Sequence, residues 1–167
     1  MDWFSMVSLV IAGLSAAFAA GAWLAAHKSL TYQALADVMR DYAEDNIAED
    51  VSTLWVFFRK CRGNNDSLMK EFGKLLDDSE HSDVTVARRR VSHFYQRVGA
   101  LYAGKVLPGK VLYRHWSRDD LSIIPKVIIP LERVLYERLQ GRGLTAQCKI
   151  LEDLYEDSAK WWKEIVV

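Results

Sequence analysis

From Trp3 to Ala26 the chain runs 24 residues without a charge, and this run limits its possible folds more than any other feature. Wound as a helix at about 1.5 Å per residue it reaches roughly 36 Å, against a bilayer hydrocarbon core of about 30 Å. The pattern predicts a transmembrane helix over residues 3–26. A cleaved signal peptide is the competing reading, but such a peptide opens on a basic region and carries an apolar stretch of only about 7 to 15 residues. Here the run is longer and follows Met1 and Asp2, so a retained anchor is expected. Lys28 and Arg40 follow the span and no Lys or Arg precedes it. Because basic flanks stay on the cytoplasmic side, the expected topology is single-pass, with the N-terminus outside and residues 29–167 forming a cytoplasmic domain at an inner membrane.

Within the run, Gly13, Ala17, Gly21 and Ala25 recur every four residues, with Ser8, Ala12, Ala16 and Ala20 beside them. Small residues let two backbones approach closely, and close packing drives helix association in lipid. The first stripe is expected to seat a membrane-protein partner or a second copy of the chain. The plainer explanation is that Ala and Gly are common in membrane helices.

Beyond His27 the apolar residues fall at helical spacing. Leu30, Leu35, Val38, Met39 and Tyr42 share a face in a segment that continues the first helix. Asn46 with Glu49 resembles a capping box, followed by a stripe of Ile47, Val51, Leu54, Trp55 and Phe58 that stops at Gly63. Asn64, Asn65 and Asp66 read as a turn, and Leu68, Phe72, Leu75 and Leu76 as a short helix. From Asp83 the residues Ala87, Val91, Phe94, Tyr95, Val98, Leu101 and Tyr102 predict the central helix. After a break at Gly104 to Gly109, Ser117 with Asp120 forms a second capping box before the apolar stretch Leu121 to Leu131. Pro125 and Pro130 interrupt that stretch, which should be a buried, kinked core segment too short to cross a membrane. Gly141 and Gly143 bracket a hinge before a last helix carrying Leu144, Cys148, Leu151, Tyr155, Trp162 and Ile165. The expected fold class is all-α, a helical bundle hanging from one membrane helix.

No catalytic constellation emerges from the spacing. Gly104 to Lys110 fits G-x-x-x-x-G-K, but Val111 replaces the magnesium-binding Ser or Thr and the preceding residues are helical in pattern where the motif follows a strand. His27, His81, His93 and His115 show no paired ligand spacing, and Asp78 with His81 is the nearest approach to a di-iron motif, occurring once. Cys61 and Cys148 are too few for a disulfide framework and suit a reduced compartment. The acidic set Asp41, Glu44, Asp45, Glu49 and Asp50 reads as solvated surface. No metal and no cofactor is expected. His93 and Glu132 are the general-base candidates, should a site assemble from distant segments.

Arg88, Arg89 and Arg90 are followed by His93 and Arg97, and Arg90, His93 and Arg97 share one helix face. Guanidinium forks suit phosphate oxygens, so this row is the candidate anion-binding site. A solvated face pairing with acidic neighbours is the simpler reading. The charges themselves are segregated. Residues 29–83 hold 6 basic and 12 acidic groups, residues 84–142 hold 12 and 4, and residues 143–167 hold 3 and 5. Totals of 22 and 22 remove the global positive charge of a dedicated nucleic-acid binder, and no nucleic acid is expected. The basic middle can face its own acidic flanks, anionic lipid or an acidic partner. At the C-terminus, Trp161 and Trp162 before Lys163 and a short apolar tail are expected to touch the membrane surface or a partner, or else to close the bundle.

The order of a membrane helix, Leu54-Trp55-Val56-Phe57-Phe58, Arg89-Arg90-Val91-Ser92-His93-Phe94-Tyr95, a break at Gly104 and then Trp116 resembles bacterial single-span membrane proteins with a cytoplasmic helical domain of unknown function. The resemblance implies a prokaryotic inner-membrane protein and lends no activity. The expected function is that of a non-enzymatic, membrane-anchored interaction protein, an accessory or scaffold subunit of an inner-membrane complex. An anion-sensing module for a phosphorylated ligand or anionic lipid is the alternative.

Overall fold

The computed structural model describes residues 3–44, 46–78, 82–139 and 144–165, with side chains at 5, 6, 9, 10, 78, 139, 144–146 and 162–165 outside the description. Among the described residues the chain is helical and carries no strand. The order is α1 (Trp3–Glu44), α2 (Ile47–Lys60), α3 (Asn65–Asp78), α4 (Asp83–Ala103), α5 (Gly109–Leu112), α6 (Ile129–Leu139) and α7 (Leu144–Ile165). A 3₁₀ turn at Asp120–Ser122 and a π turn at Ile124–Ile128 lead into α6. Asp45, His81, Gly141 and Gly143 lie outside the described residues.

Helix α1 is a single element of 42 residues, about 63 Å long at 1.5 Å per residue. Only its last third joins the bundle, through Thr31, Leu35, Val38 and Tyr42 against α2 and α4. Every residue with a described side chain up to Leu30 is exposed, including Phe4, Leu14 and Phe18. Leu30 and Met39, expected on the packing face, are also exposed. Among the described residues no helix is long and apolar enough to cross a membrane. The side chains of Ser5, Met6, Leu9 and Val10 within the uncharged run are outside the description.

The core forms where α4 lies against α2 on one side and α7 on the other. Ala87, Val91, Phe94, Tyr95 and Val98 of α4 are buried as the spacing predicts. Gly99 is what lets α7 come close, because a Cβ there would sit 2.5 Å from Cγ2 of Ile150. The segment from Leu121 to Leu131 is the most deeply buried of the chain, as expected, and its irregularity follows from its prolines. Pro130 has no N–H for the carbonyl of Lys126, and the N–H of Ile129 reaches back five residues to the carbonyl of Ile124.

The caps divide. Ser117 and Asp120 form the expected reciprocal pair, the Asp120 carboxylate accepting from the Ser117 N–H at 2.9 Å and the Ser117 hydroxyl accepting from the Asp120 N–H at 3.1 Å. Asn46 does not cap α2. It sits in the left-handed region at φ 54° and makes no side-chain cap, because the chain reverses there between α1 and α2 and Asn tolerates that conformation. Asn64 belongs to no free turn but caps α3, its side-chain oxygen accepting from the N–H groups of Asp66 and Ser67 at 2.8 and 3.2 Å. The phosphate-loop match fails in place. Residues 104–110 follow a helix, and Gly109 is buried beneath the indole of Trp161, leaving no cradle.

Candidate functional site

The turn at Asn46 brings the end of α1 and the start of α2 over the middle of α4. There Arg90, His93 and Arg97 of α4 meet Asp41 and Glu44 of α1 across an open cleft of about 460 Å³, floored by Ile47 and Phe94. The row expected at i, i+3 and i+7 is therefore real, but its cations are matched. Arg97 pairs with Asp41, and Arg90 stands 3.6 Å from Asp50. Burial pushes the Asp50 carboxyl above the usual aspartate range, and Arg90 opposes that shift only in part. Arg89 points to solvent.

Arg88 corrects the sequence reading. It is buried, not on the basic face, and its guanidinium donates to Glu132 of α6 at 2.6 Å. A step of about 100° per residue carries position 88 onto the Val91, Ser92 and Tyr95 face, toward α6 and α7. Glu132, the other general-base candidate, is committed to this pair. Burial and the nearby Glu132 carboxylate push the Cys148 thiol up, so it is a poor nucleophile there. Among the described residues no group of three or more His, Cys, Asp and Glu side chains is arranged to hold a metal ion.

The segregated charges close on each other. From the basic middle, Arg90 and Arg97 reach Asp50 and Asp41, Arg138 makes a two-pronged bond to Asp77 at 2.6 and 3.0 Å, and Arg133 approaches Glu152 at 3.6 Å. The acidic flanks thus supply partners to four cations of the basic middle, while Arg88 finds its partner, Glu132, within the middle itself.

A second cleft, of about 500 Å³, was not foreseen. Tyr42 of α1, Trp55 of α2, Tyr95 of α4 and Trp116 from the turn after α5 line it, with Asp119 and Asp120 at its side. Tyr42 stands edge-on to Trp116, ring centres 6.2 Å apart, and Phe94 backs both rings. Four separate segments build it, so no local spacing could reveal it; the only signal was the density of aromatics at 94–95 and 113–116.

Gly13, Ala17, Gly21 and Ala25 lie on the exposed part of α1, and a Cβ at Gly13 or Gly21 would meet nothing within 4 Å. Trp161 is half-buried against the core, its ring seated on Gly109. Trp162 lies outside the described side chains. Comparison with protein-family models, with curated proteins and with solved structures found no match for this chain.

Proposed function

We propose that this is a membrane-anchored interaction protein, with residues 3–26 crossing a lipid bilayer and the helical domain held at the cytoplasmic face as an accessory or scaffold subunit. The observation that carries the reading is the exposed length of α1. Trp3, Phe4, Ile11, Leu14, Phe18, Trp23 and Leu24 all face outward, and every described side chain of the helix before Thr31 is exposed. An apolar surface of that extent needs apolar surroundings, and the 24 uncharged residues match the bilayer core in length. Lys28 and Arg40 support the inward orientation of the domain. The stripe of Gly13, Ala17, Gly21 and Ala25, exposed among the described residues, suits a partner helix or a second copy.

The full chain should stay with membranes through alkaline carbonate washing. Leu14→Arg, at an expected cost of about 3 kcal/mol near the bilayer centre, should move a large share into the soluble fraction. Wild-type protein that washes off with carbonate and runs as a detergent-free monomer would end this reading. Anion capture by Arg90, His93 and Arg97 is supported only by their shared cleft. An incoming anion must first displace Asp41 and Asp50.

A further inference from the structure

The second cleft combines features that the anchor reading leaves unused. Its walls are aromatic: Tyr42, Trp55, Tyr95 and Trp116. Its charged side is acidic: Asp119 and Asp120 line it, and among the described residues no Lys or Arg does. His115 at the rim is exposed. Aromatic faces carry a negative potential, and a desolvated ring holds a cation more strongly than an exposed one does. Trp55 already shows the preference, with Nζ of Lys126 5.8 Å from its ring centre.

The floor adds a specific acceptor. Tyr95 is 2% exposed, and among the described residues its hydroxyl has no hydrogen-bond partner. Tyr95 is one of the residues that line the cleft. Tyr42 and Asp120 are its electrostatic neighbours there. Oδ2 of Asp120 is held by the N–H and hydroxyl of Ser117, which fixes the carboxylate at the cleft's side.

We infer that this cleft binds a small organic cation with N–H donors, of the alkylammonium class, held against the Tyr42, Trp55 and Trp116 rings and accepted by Asp120 and Tyr95. Such a head could arrive as a free amine or as the side chain of a lysine. The two share one chemistry and differ in what lies behind the charge.

The test is calorimetric titration of the full chain in mild detergent with n-butylammonium chloride, against potassium chloride at equal ionic strength. Saturable binding with a Kd of about 1 mM or below is expected for so small a ligand. Asp120→Asn, which keeps an oxygen for Ser117, should weaken it roughly tenfold or more, with Asp119→Asn as a second variant outside the cap. Tyr95→Phe keeps the ring and should weaken butylammonium while leaving tetramethylammonium, which has no N–H, unchanged. Circular dichroism checks that each variant is folded. A capped lysine tripeptide separates the sources: tighter binding than butylammonium assigns a lysine side chain, and equal or weaker binding assigns a free amine. No saturable binding by wild type, or binding that survives both Asp120→Asn and Tyr95→Phe unchanged, overturns the inference.

Discussion

Arg88 and Glu132 meet at 2.6 Å with 9% of each side chain exposed, so both charges have left water for each other. Mutual attraction in a buried pair roughly offsets the desolvation of both partners, whereas removing one leaves an uncompensated charge. Among the described residues Nε of Arg88 is already buried without a partner, so losing Glu132 would leave more of the guanidinium unsatisfied. Glu132→Ala should therefore lose about 3–5 kcal/mol of stability, read from the urea midpoint. The double change Arg88→Met with Glu132→Leu should recover most of the loss. A single variant as stable as wild type would mean that Arg88 escapes to solvent.

Two glycines on helices should respond with opposite signs. At Gly99 of α4 an added methyl lands 2.5 Å from a branch methyl of Ile150 and 3.4 Å from its carbonyl oxygen. A β-branched side chain backed by helix cannot swing aside, so Gly99→Ala should push α7 away and destabilise by about 1–3 kcal/mol. At Gly73 of α3 the nearest atom is Nη2 of Arg138 at 3.5 Å, an ordinary contact. Gly73→Ala should stabilise by up to about 1 kcal/mol through helix propensity alone. Thermal unfolding of both variants checks the pair, and a neutral Gly99→Ala would show that the α4–α7 crossing has slack. The same crossing is latched further along by the Tyr102 hydroxyl, which donates to Asp157 at 2.9 Å, and the Tyr113 hydroxyl after α5 also ties to α7, donating to the carbonyl of Leu154 at 2.8 Å.

For the whole molecule, zero formal charge means that acid sensitivity comes from particular pairs before it comes from overall repulsion. Hydrogen bonds from Arg138 hold the Asp77 carboxyl below its ordinary range, and those from Lys160 and Tyr102 do the same for Asp157. A depressed carboxyl contributes stability above its unfolded pKa, and the contribution is lost as pH falls through the folded one. Asp50, raised by burial, works the other way: its ionised form is the unfavourable one, so protonation relieves the fold as pH drops. Stability should therefore decline below the ordinary aspartate value of about 3.9. Asp77→Asn with Asp157→Asn should flatten that decline, whereas Asp50→Asn should leave it as steep or steeper. Melting curves from neutral pH down to acid test this, and an unchanged profile in the Asp77, Asp157 double variant would contradict it.

The sequence by itself determined whatever depends on neighbours a few residues away. The helical stripe of α4, the reciprocal cap of Ser117 and Asp120 and the proline-broken apolar segment were legible because periodicity, capping and the missing N–H of proline act within one or two turns. Tertiary structure decided what depends on which faces meet. It turned Arg88 inward to Glu132, used Asn46 to reverse the chain instead of capping α2, matched the basic row with Asp41 and Asp50, and fitted Trp161 onto Gly109. It also gathered the cleft of Tyr42, Trp55, Tyr95 and Trp116 from four segments. Burial, ion pairing and close approach arise between residues far apart in the chain, and only packing brings those residues within reach of one another.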